Sequence, residues 1–229
     1  MLAEVDSVEI TILADAFSDI TLPGGHCVDR LALGNAPRTA APWFEGNDLI
    51  DWPTAEPGFS AYVTVRRGRW TGRILYDAGA TLTGVRENMS RLDLSPRDVS
   101  VIALSHGHFD HIAGMSALVE SIGRSQLPVI VHPDFWSRRR LSFPGLDPVE
   151  LPTPSRRAYS EAGLEMIETE APSVLLENCV LITCEVERTT SLEQLETRST
   201  SVGARISGPP TRRFVTTRRW SSAFGIEAW

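Results

Sequence analysis

The sequence contains no lysine, and all 22 of its basic residues are arginine. No stretch of it approaches the roughly 18 consecutive apolar residues of a transmembrane helix, so no membrane partner is expected. Cysteine is scarce. Cys27, Cys179 and Cys184 are too few and too scattered for a disulfide framework. Cys179 and Cys184 are read as buried thiols pointing to opposite faces of one strand. The opening residues, Met1 to Asp6, carry Glu4 and Asp6 where a secretory leader needs bases, so a cytoplasmic location is expected. The net charge of −7 argues against nucleic acid as the main partner. What remains is a chain of 229 residues, 42% hydrophobic, able to bury one sizeable core.

Histidine is sparse too, yet three of the five fall in one run, Ser105-His106-Gly107-His108-Phe109-Asp110-His111. Packing does not call for such a cluster, because neutral imidazoles fill cores poorly and charged ones repel each other. A divalent cation does call for it, since imidazole nitrogen and carboxylate oxygen are good ligands for zinc, iron or manganese. The alternative is a His-rich solvated loop, and the His-x-His-x-Asp-His spacing favours the metal. The flanks agree. Asp98 to Leu104 is apolar and β-branched and reads as a buried strand. Ile112 to Ile122 has apolar residues at helical spacing and ends at Gly123. The four donors therefore sit on a strand-to-helix loop at the carboxyl end of a strand, where open α/β sheets gather their sites.

The rest of the chain reads as mixed α/β. Val8 to Leu13 alternates polar and apolar and predicts a first strand. Pro23 to Pro57 is irregular and predicts a loop over one end of the sheet. Phe59 to Val65 and Arg73 to Asp77 predict a hairpin joined by Arg66 to Gly72. Arg86 to Leu92 reads as a short helix, and Ser95 to Asp98 as a turn or helix start. Pro128 to Pro133 is another apolar strand, and Ser173 to Thr183 holds two more. No internal repeat is visible. His26 reads as a loop histidine, and Arg138-Arg139-Arg140 as a solvated helix face that could instead meet an anionic substrate.

Taken together, the Phe59–Val65 and Ile74–Tyr76 hairpin, Asp77-Ala78-Gly79, the His106–His111 run and Val131-His132-Pro133-Asp134 resemble the metallo-β-lactamase-fold hydrolases. The resemblance covers roughly Val8 to Glu193. Within that superfamily the chain is most similar to the dihydropterin-(ribofuranosyl)aminobenzene-phosphate synthase-like branch, through Thr11 to Asp15, Gly58-Phe59-Ser60, Asp93-Leu94-Ser95 and Ile182 to Val186. The resemblance implies an αββα sandwich with two divalent metal ions at one sheet edge, zinc first, with iron or manganese as alternatives. It implies that His106 and His108 hold one ion and that Asp110 and His111 hold the other. Asp77 would support the loop through hydrogen bonds, and Asp110 would act catalytically by orienting a metal-activated hydroxide. His132 would lie near the substrate pocket; its competing reading is a cap at a strand end. The implied activity is hydrolysis of a small ester or phosphate-bearing substrate.

The chain also departs from the family pattern. The superfamily takes further ligands from the second half of the chain, including a histidine inside Gly-x-x-His, and this sequence has no histidine after His132. From Leu195 to Trp229 six arginines face two acids, a net +4 against −11 for the preceding residues, together the −7 of the whole. That tail shows neither strand alternation nor a helical stripe. A lysine-free, GC-rich coding sequence read out of frame gives such a composition. The expectation is therefore a metallo-β-lactamase-fold domain over residues 1–194 and an atypical tail over 195–229, either out of frame, with the native C-terminal third missing, or divergent and disordered. Two other functions follow as alternatives: a catalytically incompetent remnant that binds metal weakly, or a mononuclear iron dioxygenase on the same fold. Substrate and oligomeric state are not legible.

Overall fold

The hairpin expected around Phe59 forms as β4 (Ser60–Arg67) and β5 (Trp70–Tyr76), paired antiparallel from Ala61↔Tyr76 to Arg67↔Trp70. The strands run further than the sequence suggests, because Gly68 at φ +57° supplies the left-handed backbone of a two-residue turn. The computed structural model describes residues 2–19, 21–32, 34, 36–141, 147–183 and 226–228.

Four more strands complete the main sheet: β1 (Ser7–Ala14), β6 (Val101–Ala103), β7 (Leu127–Val131) and β10 (Leu164–Glu168), in the order β1-β4-β5-β6-β7-β10. Between β5 and β7 lie three short α-helices: α1 (Gly84–Arg91), α2 (Phe109–Ile112) and α3 (Met115–Ile122). Strands β5, β6, β7 and β10 pair in parallel, so their carboxyl ends share one edge. The central strands are apolar on both faces, as sheets covered on both sides are. Tyr62, Leu75, Ile102, Val129 and Val131 pack under α1, α3 and α4 (Arg156–Glu161), with Val85, Met89, Leu118 and Tyr159 as partners. Val63, Val65, Ile74, Val101, Ala103 and Ile130 face the other way, onto Cys179, Val180 and Ile182. Each fully buried aliphatic side chain of this kind contributes about 1.5–3 kcal/mol.

The opposing layer is a second sheet, β11 (Ser173–Leu175), β12 (Val180–Ile182) and β13 (Ile226–Ala228), in that order. Helix, sheet and sheet are thus three of the four layers expected of an αββα sandwich; the fourth is not among the described residues. Two small hairpins complete the strands, β2 (Arg38–Ala40) with β3 (Asp48–Ile50), and β8 (Arg140–Leu141) with β9 (Val149–Glu150). The first corrects the expectation of an irregular Pro23–Pro57 stretch. Arg38 and Asp48 cross-link it, with Nε to Oδ2 at 2.6 Å, a pairing that periodicity does not reveal.

A second correction concerns the helix expected over 112–122, which starts only at Met115, after a separate short helix over Phe109–Ile112 where loop was expected. The long one, α3, buries Met115, Leu118 and Ile122 at helical spacing and ends on Gly123 at φ +62°. Cys179 is buried and Cys27 exposed. Cys184, the boundary expected at residue 194 and most of the tail lie outside the described residues. Among those described, no helix is long and apolar enough to cross a membrane.

Candidate metal centre

The site is built where β5, β6 and β7 end. Just past β5, Asp77 adopts φ +55°, a left-handed conformation that aspartate tolerates better than most residues. Its carboxylate is buried. Oδ1 accepts from the Ser105 amide at 2.7 Å, and Oδ2 accepts from the Ser105 hydroxyl at 2.6 Å. Oδ2 also lies 2.7 Å from His111 Nδ1. A carboxylate oxygen only accepts, so Nδ1 carries the proton and the lone pair of the neutral ring falls on Nε2.

The four candidate donors then form two pairs. His106 Nε2 and His108 Nδ1 face each other at 2.9 Å. His111 Nε2 and Asp110 Oδ2 are 3.7 Å apart. Two ligands of one tetrahedral zinc, each about 2.0–2.1 Å from the ion, stand about 3.3 Å apart. One pair must open by a few tenths of an ångström and the other close by as much, so both fit an ion. The two pairs adjoin, with the His106 and His111 ring centres 4.2 Å apart. The donors come in pairs rather than as a closed cage: among the described residues no group of three or more His, Cys, Asp or Glu is arranged to hold a metal.

Electrostatics prepares the first pair. Burial, reinforced by the neighbouring His111, His108 and Arg139, pushes the His106 imidazole down to about 2. Burial, with the Arg139 charge behind it, also lowers His108. Both rings are neutral near pH 7, so each keeps one nitrogen lone pair able to bind a cation. His111 differs. Burial pulls it down, but the hydrogen bond and charge of Asp77, with Asp110 behind them, carry it above the ordinary value. An ion binding there displaces a proton.

Three further residues shape the loop. Arg139 corrects the reading of its triplet as a solvated face, because it is only 5% exposed. Its Nη1 donates to the carbonyls of Gly107, Phe135 and Ser137, and its Nη2 to that of Asp134. Ser105 links the site inward, its hydroxyl lying 2.9 Å from His106 Nδ1. Glu56, 8% exposed, accepts from the Ala80 amide at 3.1 Å and from the Thr81 hydroxyl. The sequence marked Arg139 only as one of three consecutive arginines and Glu56 not at all, since one acid or arginine among many gives no periodicity. His132 is 2% exposed, and its Nδ1 accepts from the Asp134 amide at 3.0 Å at the start of the turn Pro133–Trp136, the geometry of a cap. His26 is exposed, with Nδ1 3.1 Å from Cys27 Sγ.

Comparison with known proteins gives matches to part of the chain. Over 98 residues the chain is 29% identical to the 7,8-dihydropterin-6-methyl-4-(beta-D-ribofuranosyl)-aminobenzene-5'-phosphate synthase of Methanocaldococcus jannaschii, covering 43% of this chain and 32% of that protein. It is 40% identical over 70 residues to an N-acyl homoserine lactonase of Rhizobium rhizogenes, covering 29% of this chain and 23% of the relative. The matches thus span about a quarter to a third of these curated relatives. Among solved structures, a quorum-quenching N-acyl homoserine lactone lactonase is similar at 14% identity and a TM-score of 0.39, over 80% of this chain and 64% of that one. The sequence profile of the metallo-beta-lactamase superfamily matches residues 55–176, more than half of the chain and all of the site described above. Strand ends, paired donors and profile coincide, and the chain belongs to the metallo-β-lactamase superfamily.

Proposed function

We propose that the chain is a metal-dependent hydrolase that takes a small ester or phosphate-bearing substrate at the parallel-strand edge. One observation carries the reading: two imidazole nitrogens 2.9 Å apart stand beside a second pair of donors whose histidine is oriented by a buried carboxylate. His106 and His108 would hold one divalent ion, and Asp110 and His111 a second. Bound there, two such ions lower the pKa of coordinated water towards neutrality and stabilise developing negative charge. The chain's own part is to hold donors neutral and aimed. Burial keeps the 106 and 108 rings unprotonated, Asp77 fixes the His111 tautomer, and Asp110 remains partly exposed, able to accept a hydrogen bond from a water in the open gap.

The names of the relatives supply the candidate chemistries, a lactone and a phosphorylated pterin precursor. The test is turnover of an N-acyl homoserine lactone and of a nitrophenyl phosphodiester by zinc- or manganese-loaded protein. Activity on either one, abolished by a chelator and restored by metal, is the expected result. A loaded protein inert towards both would overturn the reading.

A second reading has its own support. Among the described residues each ion finds only two protein donors, fewer than the three of a catalytic zinc site. A weakly loading, inactive protein follows if nothing else contributes, and substoichiometric metal without turnover would identify it.

A further inference from the structure

We propose that Glu56 is a positioning residue that sets the Asp110–His111 half of the metal loop, acting through the backbone of residues 77–81. The inference rests on the reading of that loop as a metal site.

Three of the five residues from Glu56 to Ser60 hydrogen-bond to the segment that follows β5. The Glu56 carboxylate accepts from the Ala80 amide and the Thr81 hydroxyl. The Phe59 carbonyl accepts from the Gly79 amide at 3.1 Å. The Ser60 hydroxyl donates to the Asp77 carbonyl at 2.8 Å. Residues 77–81 are therefore clasped from one side along their whole length.

The other side of the same segment holds the donors. The Ala78 amide donates to the His111 carbonyl at 2.6 Å. The Ala113 and Gly114 amides donate back, to the Gly79 and Ala78 carbonyls, each at 3.1 Å. Any shift of residues 78–80 is thus transmitted to the C-terminal end of α2, the short helix that carries Asp110 and His111.

Glycines sit where these three strands of backbone touch. A Cβ on Gly58 would collide with the Asp110 carbonyl, and one on Gly114 with the Ala78 carbonyl. A Cβ on Gly79 or on Gly84 would collide with the Glu56 carboxylate itself. The backbone has been stripped to hydrogen around this one acid, and a buried carboxylate is costly unless its hydrogen bonds are made. Packing alone would be served by a leucine or methionine. What takes up the acceptor is the half-buried Ala80 amide and the Thr81 hydroxyl, which itself accepts from the Gly84 amide at 3.0 Å at the start of α1.

Amide hydrogen exchange on the metal-free, full-length chain tests this, with Glu56→Ala beside Glu56→Gln. In Glu56→Ala, the amides of Ala78, Ala80, Ala113 and Gly114 are expected to exchange about 10-fold faster or more. The β4–β5 ladder around Val63 and Val65 is expected to stay as protected as in wild type. Glutamine keeps a carbonyl for the Ala80 amide and is expected to restore most of the protection. With cobalt, Glu56→Ala is expected to weaken the second equivalent about 10-fold and leave the first within twofold, the scale seen when a ligand's support is removed. Faster exchange spread evenly over the sheet would show a merely structural acid, and unchanged exchange at the four amides would show no role; either result overturns the proposal. If Glu56→Ala does not fold, Thr81→Val, which removes one of the two donors, must give the same pattern at smaller amplitude. A wild type that binds no cobalt would sink the metal reading, while the exchange pattern would still decide whether Glu56 sets the loop.

Discussion

A buried guanidinium beside a nest of imidazoles looks misplaced, because it repels the cation the imidazoles would bind. At the scale of single residues Arg139 makes sense only through its partners, four backbone carbonyls drawn from the metal loop and from the turn after β7. It fixes Gly107, the residue between the two histidines of the first pair. Removing the charge strands those acceptors. Arg139→Met should cost about 2–4 kcal/mol in urea unfolding, less than the sum of four charged hydrogen bonds because the desolvation of the guanidinium is relieved as well. A loss under about 0.5 kcal/mol would show that water satisfies the carbonyls. Arg139 was not readable beforehand: three consecutive arginines look alike in sequence, and only the fold decides which is buried. The donors at 106, 108, 110 and 111 were readable, because chemistry rather than packing dictates their spacing.

Among the elements, the metal loop hangs on backbone contacts that leave no room for a methyl group. Gly114 caps α3, and its missing Cβ lets the Ala78 carbonyl approach. Gly114→Ala should destabilise the protein by about 1–3 kcal/mol, as overpacking generally does, and lower the thermal midpoint. Gly25→Ala, where nothing lies within 4 Å, should stay within about 0.5 kcal/mol. Equal effects at both positions would contradict the close-contact account. The break at Gly114 also explains why the helix expected from Ile112 starts only at Met115. Apolar spacing runs unbroken from Ile112 to Ile122, and the interruption comes from hydrogen bonds to a distant loop. The hairpin, the central strands and the C-terminal end of α3 were legible because each is set by local alternation or by glycine. Strand β10 and helix α4 were not, since their residues are half-exposed or exposed and weakly patterned.

Across the whole molecule, the second sheet covers part of the first and leaves the rest exposed. Val63 and Val65 of β4 are buried against Val180 and Ile182, whereas Ile10, directly across from Val63 on the same face, is 62% exposed. Val8 and Ile12 extend the exposed stripe. An apolar edge of this kind is an association hazard. Ile10→Lys should therefore leave unfolding free energy within about 0.5 kcal/mol and reduce light scattering on concentration. Val65→Lys should prevent folding, because it buries an unpaired charge. Similar tolerance of both would mean that the two sheets do not pack as described. The central claim, that this edge of the sheet grips cations, is tested most directly by elemental analysis of the purified chain beside His106→Ala/His108→Ala. The account predicts about two equivalents of divalent metal in the wild type and a loss of about one in the double variant. Identical metal content in the two proteins would contradict it.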